Sequence, residues 1–276
     1  MNSTHATITA LHTYPVKSCR GLSHTDVKLT RQGLAYDREW MMVDTAGQFL
    51  TQRSLPRMAL IETALTLNTL RLTLPGQSES LELSLDDTSL PHCRVRVWGD
   101  DCDAFDEGSA AAGQLSEFLG KAVRLVRFDS ACRRHSNPQW TQGMVAENRF
   151  SDGFPVLILG EESLEELNHR LRVPLPMNRF RPNIVIRGLG PHGEDDVSVL
   201  SGEGFQIHLV KPCVRCSVTA IDQTTTAVGK EPLQTLAVYR RDKALNGITF
   251  GMNGIVFSDN HSLLTVGACL NSGPAG

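Results

Sequence analysis

No G-x-x-x-x-G-K-[ST] run occurs anywhere in the 276 residues, so any bound phosphate must be held by side chains rather than by that backbone loop. H-E-x-x-H, G-x-S-x-G and the EF-hand loop are absent too, which removes the commoner hydrolase and metal-site readings. No apolar stretch approaches the ~20 residues of a membrane span, and the polar Met1-Asn2-Ser3-Thr4-His5 start does not resemble an export signal. Charge of one sign is not concentrated: 27 Lys and Arg stand against 30 Asp and Glu, the net charge is −3, and no basic run suggests a nucleic-acid surface. Neither a membrane nor a nucleic acid is therefore expected as a partner. The seven cysteines (19, 93, 102, 132, 213, 216 and 269) are odd in number and scattered, which argues against a disulfide framework and for a reducing, cytoplasmic setting. Internal repeats and low-complexity segments are also missing.

What is present is a 41% hydrophobic chain, long enough for two modest domains. Thr7 to Tyr14 reads as a strand ending in the turn Tyr14-Pro15-Val16-Lys17-Ser18-Cys19-Arg20-Gly21. Short strands follow at 27–29, 38–43, 49–50, 70–74, 81–85 and 95–98, separated by Gly, Pro and Asp, the pattern of a small antiparallel sheet or barrel. A helix is predicted over 109–119, with Ala111, Leu115, Phe118 and Leu119 on one face and Gly120 as its stop. After a strand at 123–126, the polar stretch 130–151 reads as a long loop, either a lid or a connector. The division into domains is placed near residue 125, giving units 1–125 and 126–276.

In the second unit, Phe154 to Leu159 is a buried-looking strand. The next helix has Ser163 and Glu166 at capping-box spacing and Leu164, Leu167 and Leu171 as core. Arg181 and Asn183, one proline apart before the strand Ile184-Val185-Ile186, project the same way if that segment is extended. A helix opens at Pro232, and 250–256 with 263–267 read as a closing β pair.

The chain is organised around Lys211-Pro212-Cys213-Val214-Arg215-Cys216, read as a turn between the alternating strand Phe205, Ile207, Leu209 and a strand-like Ser217 to Ile221. A Cys-x-x-Cys can be a redox pair, which needs a helix N-terminus behind it, and a strand-like segment does not supply one. It can be half of a zinc site, with Cys132 and His135 as the candidate other half. It can also offer one thiolate to a soft metal or to nucleophilic chemistry, favoured by the charges of Lys211 and Arg215, or it can be two small buried hydrophobes. The strand-to-turn sites are rich in donors, Lys17 with Ser18, Arg38, Arg181 with Asn183, and Arg215, and arginine forks with a lysine point charge suit a phosphorylated ligand.

Tyr14-Pro15-Val16-Lys17-Ser18-Cys19, Tyr36-Asp37-Arg38-Glu39-Trp40, Phe150-Ser151-Asp152-Gly153-Phe154-Pro155, Arg179-Phe180-Arg181-Pro182-Asn183 and Lys211 to Cys216 together resemble the MOSC-domain proteins, among them the mitochondrial amidoxime-reducing components and their bacterial relatives. The resemblance covers nearly the whole chain. It implies a β-rich mixed α/β fold, an N-terminal β-barrel-like domain followed by a MOSC β-barrel domain with flanking helices. It implies a molybdenum cofactor, a pterin dithiolene with a terminal phosphate, whose metal takes a protein cysteine. By motif position that metal ligand is Cys216, with Cys213 as its neighbour. Lys17, Ser18, Arg38, Arg181 and Asn183 match the family's cofactor contacts, which puts the cofactor between the two domains, and Asp152 matches an acidic residue near the metal that would help deliver protons. The implied reaction is reductive removal of oxygen from small N-hydroxylated substrates such as amidoximes, hydroxylamines and N-hydroxylated bases. Unlike some relatives the chain shows no N-terminal anchor and no appended iron–sulfur domain, so electrons are expected from a separate donor protein of ferredoxin, flavoprotein or cytochrome type. The alternative is a protein that carries molybdenum cofactor or its sulfur without reductase activity.

Overall fold

The computed structural model describes residues 4–259 and 262–274. Its centre is a closed seven-stranded barrel of β1 (Thr4–Thr13), β2 (Val156–Gly160), β3 (Ile184–Arg187), β4 (Val197–Gly202), β5 (Phe205–Val214), β6 (Gly247–Ser258) and β7 (Cys269–Pro274). The order around the ring is β2-β3-β1-β7-β4-β5-β6, and β6 pairs back onto β2 with Ile158 opposite Met252. Every pairing is antiparallel except β2 with β3. Alternation drives closure, because Ile8, Ile158, Ile184, Leu200, Ile207, Val256 and Leu270 all point into one apolar interior. The small antiparallel sheet of Asp26–Thr30, Gly33–Leu34 and Leu263–Thr265 covers one side of it.

Two glycines let β6 close the ring. A Cβ on Gly254 would lie 2.9 Å from Ile207 and 3.0 Å from Ile158. Gly251 has φ +77°, and a Cβ there would lie 2.7 Å from the Ile158 carbonyl oxygen. Gly251→Ala is therefore strained twice and should cost about 1–3 kcal/mol. Gly267→Ala, at φ +90° but in open space, carries only the conformational part. Urea midpoints of the two variants should fall in that order.

Between β1 and β2 the chain builds a second unit. A four-stranded antiparallel sheet (Trp40–Val43, Arg124–Phe128, Asp100–Asp106, His92–Val97) and a three-stranded meander (Glu62–Leu65, Thr69–Thr73, Leu81–Ser84) enclose a core of Trp40, Met42, Leu70, Leu72 and Leu125. Helix α1 (Ser109–Leu119) covers it with the four predicted apolar residues and ends at left-handed Gly120. Sheet pairing does not follow a cut at residue 125, since β1 lies between β3 and β7 and Leu22–His24 pairs with β1.

Several expectations about local structure are corrected. Cys213 lies within β5, and Ser217–Ala220 is one turn of 3-10 helix rather than a strand, with Cys216 at its start. Helix α3 (Glu161–Arg170) begins at Gly160 without a side-chain cap. Ser163 instead donates to the buried Glu194 carboxylate, 2.6 Å away, which also accepts from Gly160 N. Leu167 is core as expected. The Leu263–Thr265 strand pairs with Asp26–Thr30, not with β6. Gly188-Leu189-Gly190-Pro191-His192-Gly193 fits G-x-G-x-x-G, but it leads from β3 into a four-residue 3-10 turn, so it has no helix on which to seat a dinucleotide. Residues 130–151 contain the short helix α2 (Pro138–Thr141) and are held from within. Buried Arg134 donates to Asp100 (2.7 Å) and to the carbonyls of Arg149 (2.9 Å) and Ser151 (2.6 Å).

Candidate functional site

A cavity of about 310 Å³ lies where the turn after β1, the loop at 150–155, the segment entering β3 and the end of β5 converge. Lys17, Ser18, Arg38, Asp152, Arg181, Asn183 and Cys216 all line it, so the structure brings every site residue chosen from sequence to one place. Around it stand Lys17, Arg38, Arg53, Arg179, Arg181, Lys211 and Arg215, against the single carboxylate of Asp152. In a chain of net charge −3, such a local excess of cations makes an anion site.

The backbone is forced at several of these positions. Ser18 (φ 69°), Arg38 (φ 48°) and Arg181 (φ 56°) are left-handed, a conformation unfavourable by about 1–3 kcal/mol for residues other than glycine and one that concentrates at functional sites. Arg181 is thus not extended. It reaches the cavity beside Asn183 through a kink, not through the alternation assumed from sequence.

Tyr14 organises the two arginines. Its buried ring carries the Arg38 guanidinium at 4.3 Å and that of Arg181 at 4.1 Å, and its hydroxyl donates to Pro182 O at 3.1 Å. Burial pushes the Tyr14 hydroxyl up to about 12, so it remains a donor. Arg38 is further fixed by the Asp37 carboxylate and by Asn183 Oδ1 at 3.0 Å. The Asn183 oxygen also accepts from Leu157 N and its nitrogen donates to His12 O. It positions Arg38 from the cavity lining. Arg181 Nη1 donates to Cys19 O at 2.7 Å, whereas Arg181 Nη2 is buried with no partner among the described residues. Burial lowers Arg181 to about 10, which still leaves it cationic at neutral pH.

Lys17 is buried, and its ammonium donates to Phe150 O (2.7 Å) and Asp152 Oδ1 (2.5 Å). Burial lowers its pKa and the Asp152 charge opposes that. Desolvation by the surrounding protein acts to raise the pKa of Asp152, but the Lys17 charge and hydrogen bond, the Trp98 indole N–H and Arg38 hold the carboxyl well below the usual range. At neutral pH the proton of this pair sits on Lys17 Nζ. The depressed folded value means that the stabilisation is present above the ordinary carboxyl value of 3.8 and is lost as pH falls below it. The difference in urea midpoint between wild type and Asp152→Asn should hence be flat from pH 5 to 8 and shrink below about pH 4. The Asp152 side chain is 73% exposed, so screening keeps that difference small.

The cysteines separate into two roles. Arg215 Nη1 donates to Cys213 Sγ at 3.0 Å and its Nη2 to Phe180 O, while Arg215 Nε is buried with no partner among the described residues. Cys216 is an exposed free thiol. Its turn is held by buried Arg179, which donates to Thr219 O (2.9 Å) and Asp222 (3.2 Å), and by a reciprocal amide pair. In that pair Gln52 and Gln223 each donate to the other's side-chain oxygen, Gln52 also donates to Ser18 O, and Gln223 donates to Ile221 O. Tyr14, Gln52, Arg53, Trp98, Arg179 and Gln223 were not singled out from sequence. Tyr14 and Arg179 stood inside quoted motifs, but nothing local marked the others. Among the described residues no three His, Cys, Asp or Glu side chains are grouped to share a metal ion, so Cys132 and His135 do not complete a zinc site with Cys213 and Cys216.

Family models of the MOSC N-terminal beta barrel domain and the MOSC domain match residues 5–122 and 146–267. Mitochondrial amidoxime-reducing component 1 of Mus musculus is 37% identical over 85% of this chain and 71% of its own length. The Homo sapiens protein of that name is 34% identical over 85% of this chain and 72% of its own. Molybdenum cofactor sulfurase of Oryza sativa subsp. japonica is 31% identical over 95% of this chain but only 35% of its own length. Two domain models in order on a β-rich two-unit fold, with relatives at this identity, show that the chain belongs to the MOSC-domain family that includes the mitochondrial amidoxime-reducing components.

Proposed function

We propose that this protein is an oxidoreductase that binds molybdenum cofactor in the cation-lined cavity and removes oxygen from N-hydroxylated compounds. The observation that carries this reading is the pair of buried, unpartnered guanidinium nitrogens, Arg181 Nη2 and Arg215 Nε, beside an exposed Cys216 thiol. Buried donors are left unpaired at a cost unless a ligand satisfies them, and arginine forks match a phosphate. The donor set thus fits a phosphate-bearing cofactor with a soft metal. Arg38, Arg181 and Arg215 would hold its anionic end, with Lys17 and Ser18 closing the other side, and Cys216 would give its sulfur to the metal. The amidoxime-reducing names of the relatives support the substrate class.

When bound, the cofactor supplies a two-electron centre that takes oxygen from an N–O bond. The chain's own residues supply position and charge. Asn183 and Tyr14 fix the arginines, and Arg179 with the glutamine pair fixes the Cys216 turn. Lys17 Nζ stores the proton that Asp152, being ionised, does not, so Asp152 serves as the acceptor that holds this ammonium at the site. Overall, an amidoxime takes two electrons and two protons and leaves as the amidine with water. The electrons come from a separate ferredoxin-, flavoprotein- or cytochrome-type donor.

Cofactor-loaded protein should convert benzamidoxime to benzamidine with a reduced viologen as artificial donor. The 31% identity to a cofactor sulfurase across nearly the whole chain favours a second reading, a carrier of cofactor or its sulfur. Loaded protein that turns nothing over but activates an apo-enzyme would support the carrier instead.

A further inference from the structure

Against two residues of the cavity lining, Asp152 and Arg53, the tight turn between His92–Val97 and Asp100–Asp106 carries Trp98 in a left-handed conformation (φ 55°), uncommon for so bulky a residue. Its side chain is not buried in compensation: Trp98 is 42% exposed. A two-residue hairpin turn favours that sign of φ, and residues of the site engage the side chain. The indole Nε1 donates to Asp152 Oδ1 at 3.2 Å, the Phe49 ring lies 4.9 Å away, and the Arg53 guanidinium stands 4.6 Å over the indole. Arg53 lines the cavity, is steadied by a hydrogen bond from its Nε to Thr51 Oγ1 at 3.3 Å, and pairs with no carboxylate among the described residues. A flat guanidinium on a flat indole, tied to a carboxylate of the cavity lining, is a surface of π and cationic character.

We infer that Trp98 and Arg53 form a stacking wall for the substrate and select planar aryl or heteroaryl N-hydroxylated compounds over alkyl ones. This rests on the reductase reading above. A planar ring laid against the wall gains stacking and cation–π contact, and its N-hydroxylated group then points toward Asp152 and the metal side of the cavity. An alkyl amidoxime makes the polar contacts without the stacking. The reaction itself is the same for both: two electrons and two protons enter, the N–O bond breaks, and the amidine leaves with water.

The test compares benzamidoxime with acetamidoxime on holoprotein with a reduced viologen as donor, in wild type, Trp98→Ala, Trp98→Phe and Arg53→Ala. The wild type should favour benzamidoxime. Trp98→Ala and Arg53→Ala should each lower the aryl-to-alkyl ratio of kcat/KM by about tenfold, through KM for benzamidoxime rather than kcat. Trp98→Phe, which keeps a ring but loses the N–H, should retain most of the ratio. A ratio unchanged in both alanine variants, or an equal loss on both substrates, overturns the inference. Arg53→Ala removes an exposed side chain and keeps the test open should Trp98→Ala fold poorly. Wild-type holoprotein that reduces neither substrate would instead refute the reductase reading itself.

Discussion

Cys216→Ala should abolish turnover, with at least about a 10³-fold loss, beyond the 10–100-fold that changes to outer-shell partners of a metal typically cost. The protein should otherwise remain intact. Cys216 is exposed, its thiol has no partner in the turn, and Arg179 and the Gln52–Gln223 pair that shape the turn are untouched. Its unfolding midpoint should therefore stay within about 0.5 kcal/mol of wild type. Cys213→Ala is the informative companion. That sulfur already accepts from Arg215, so its removal loosens a guanidinium without removing a metal ligand, and activity should fall by about 10–100-fold. Anaerobic kinetics on both variants, loaded to equal cofactor content, check the order. Equal losses would mean that the two sulfurs act as a pair.

Lys17→Met should cost at least about 100-fold in kcat/KM, the scale of removing one preorganised donor from a site of developing charge. The lost ammonium leaves the Phe150 carbonyl and Asp152 without their shared donor. Leaving the buried Phe150 carbonyl unsatisfied should also lower stability by about 1–3 kcal/mol. Lys17→Arg should not restore activity, because a planar fork does not replace a compact ammonium in a slot that leaves lysine 5% exposed. Paired urea titrations and steady-state rates would separate the two effects. A Lys17→Met protein with wild-type rates would show that neither the ion pair nor the stored proton matters to the reaction.

The strands that alternate strictly were legible. Phe205, Ile207 and Leu209 do point into the barrel, and α1 runs over the residues its periodicity marks. The strand Asp100–Asp106 was not, because aspartates hold its outward positions while only Cys102 and Ala104 fill the core. Those aspartates are matched across the ladder, Asp101 with Arg96 at 2.8 Å and Asp103 with Arg94 at 3.5 Å. Ser217 to Ala220 looked like strand from its β-branched residues, yet Thr219 Oγ1 donates to Cys216 O and Arg179 pulls on Thr219 O, so local bonding winds it into a turn. The place of β1 was beyond local reading, since its neighbours β3 and β7 come from the far end of the chain. The site fared better than the geometry argued for it. Arg181 and Asn183 do share a cavity, but through a left-handed kink, with Asn183 turned to protein partners. The contacts that lock the site, Gln52 to Gln223 and Trp98 to Asp152, join residues 171 and 54 positions apart and leave no local signature.

The measurement that bears most directly on the account is the molybdenum content of the purified protein by mass spectrometry, from a host that makes the cofactor and from one that cannot. Near-stoichiometric molybdenum in the first and none in the second, with altered metal spectra in Cys216→Ala, is the predicted result. Folded wild-type protein from the competent host that carries no molybdenum would contradict it.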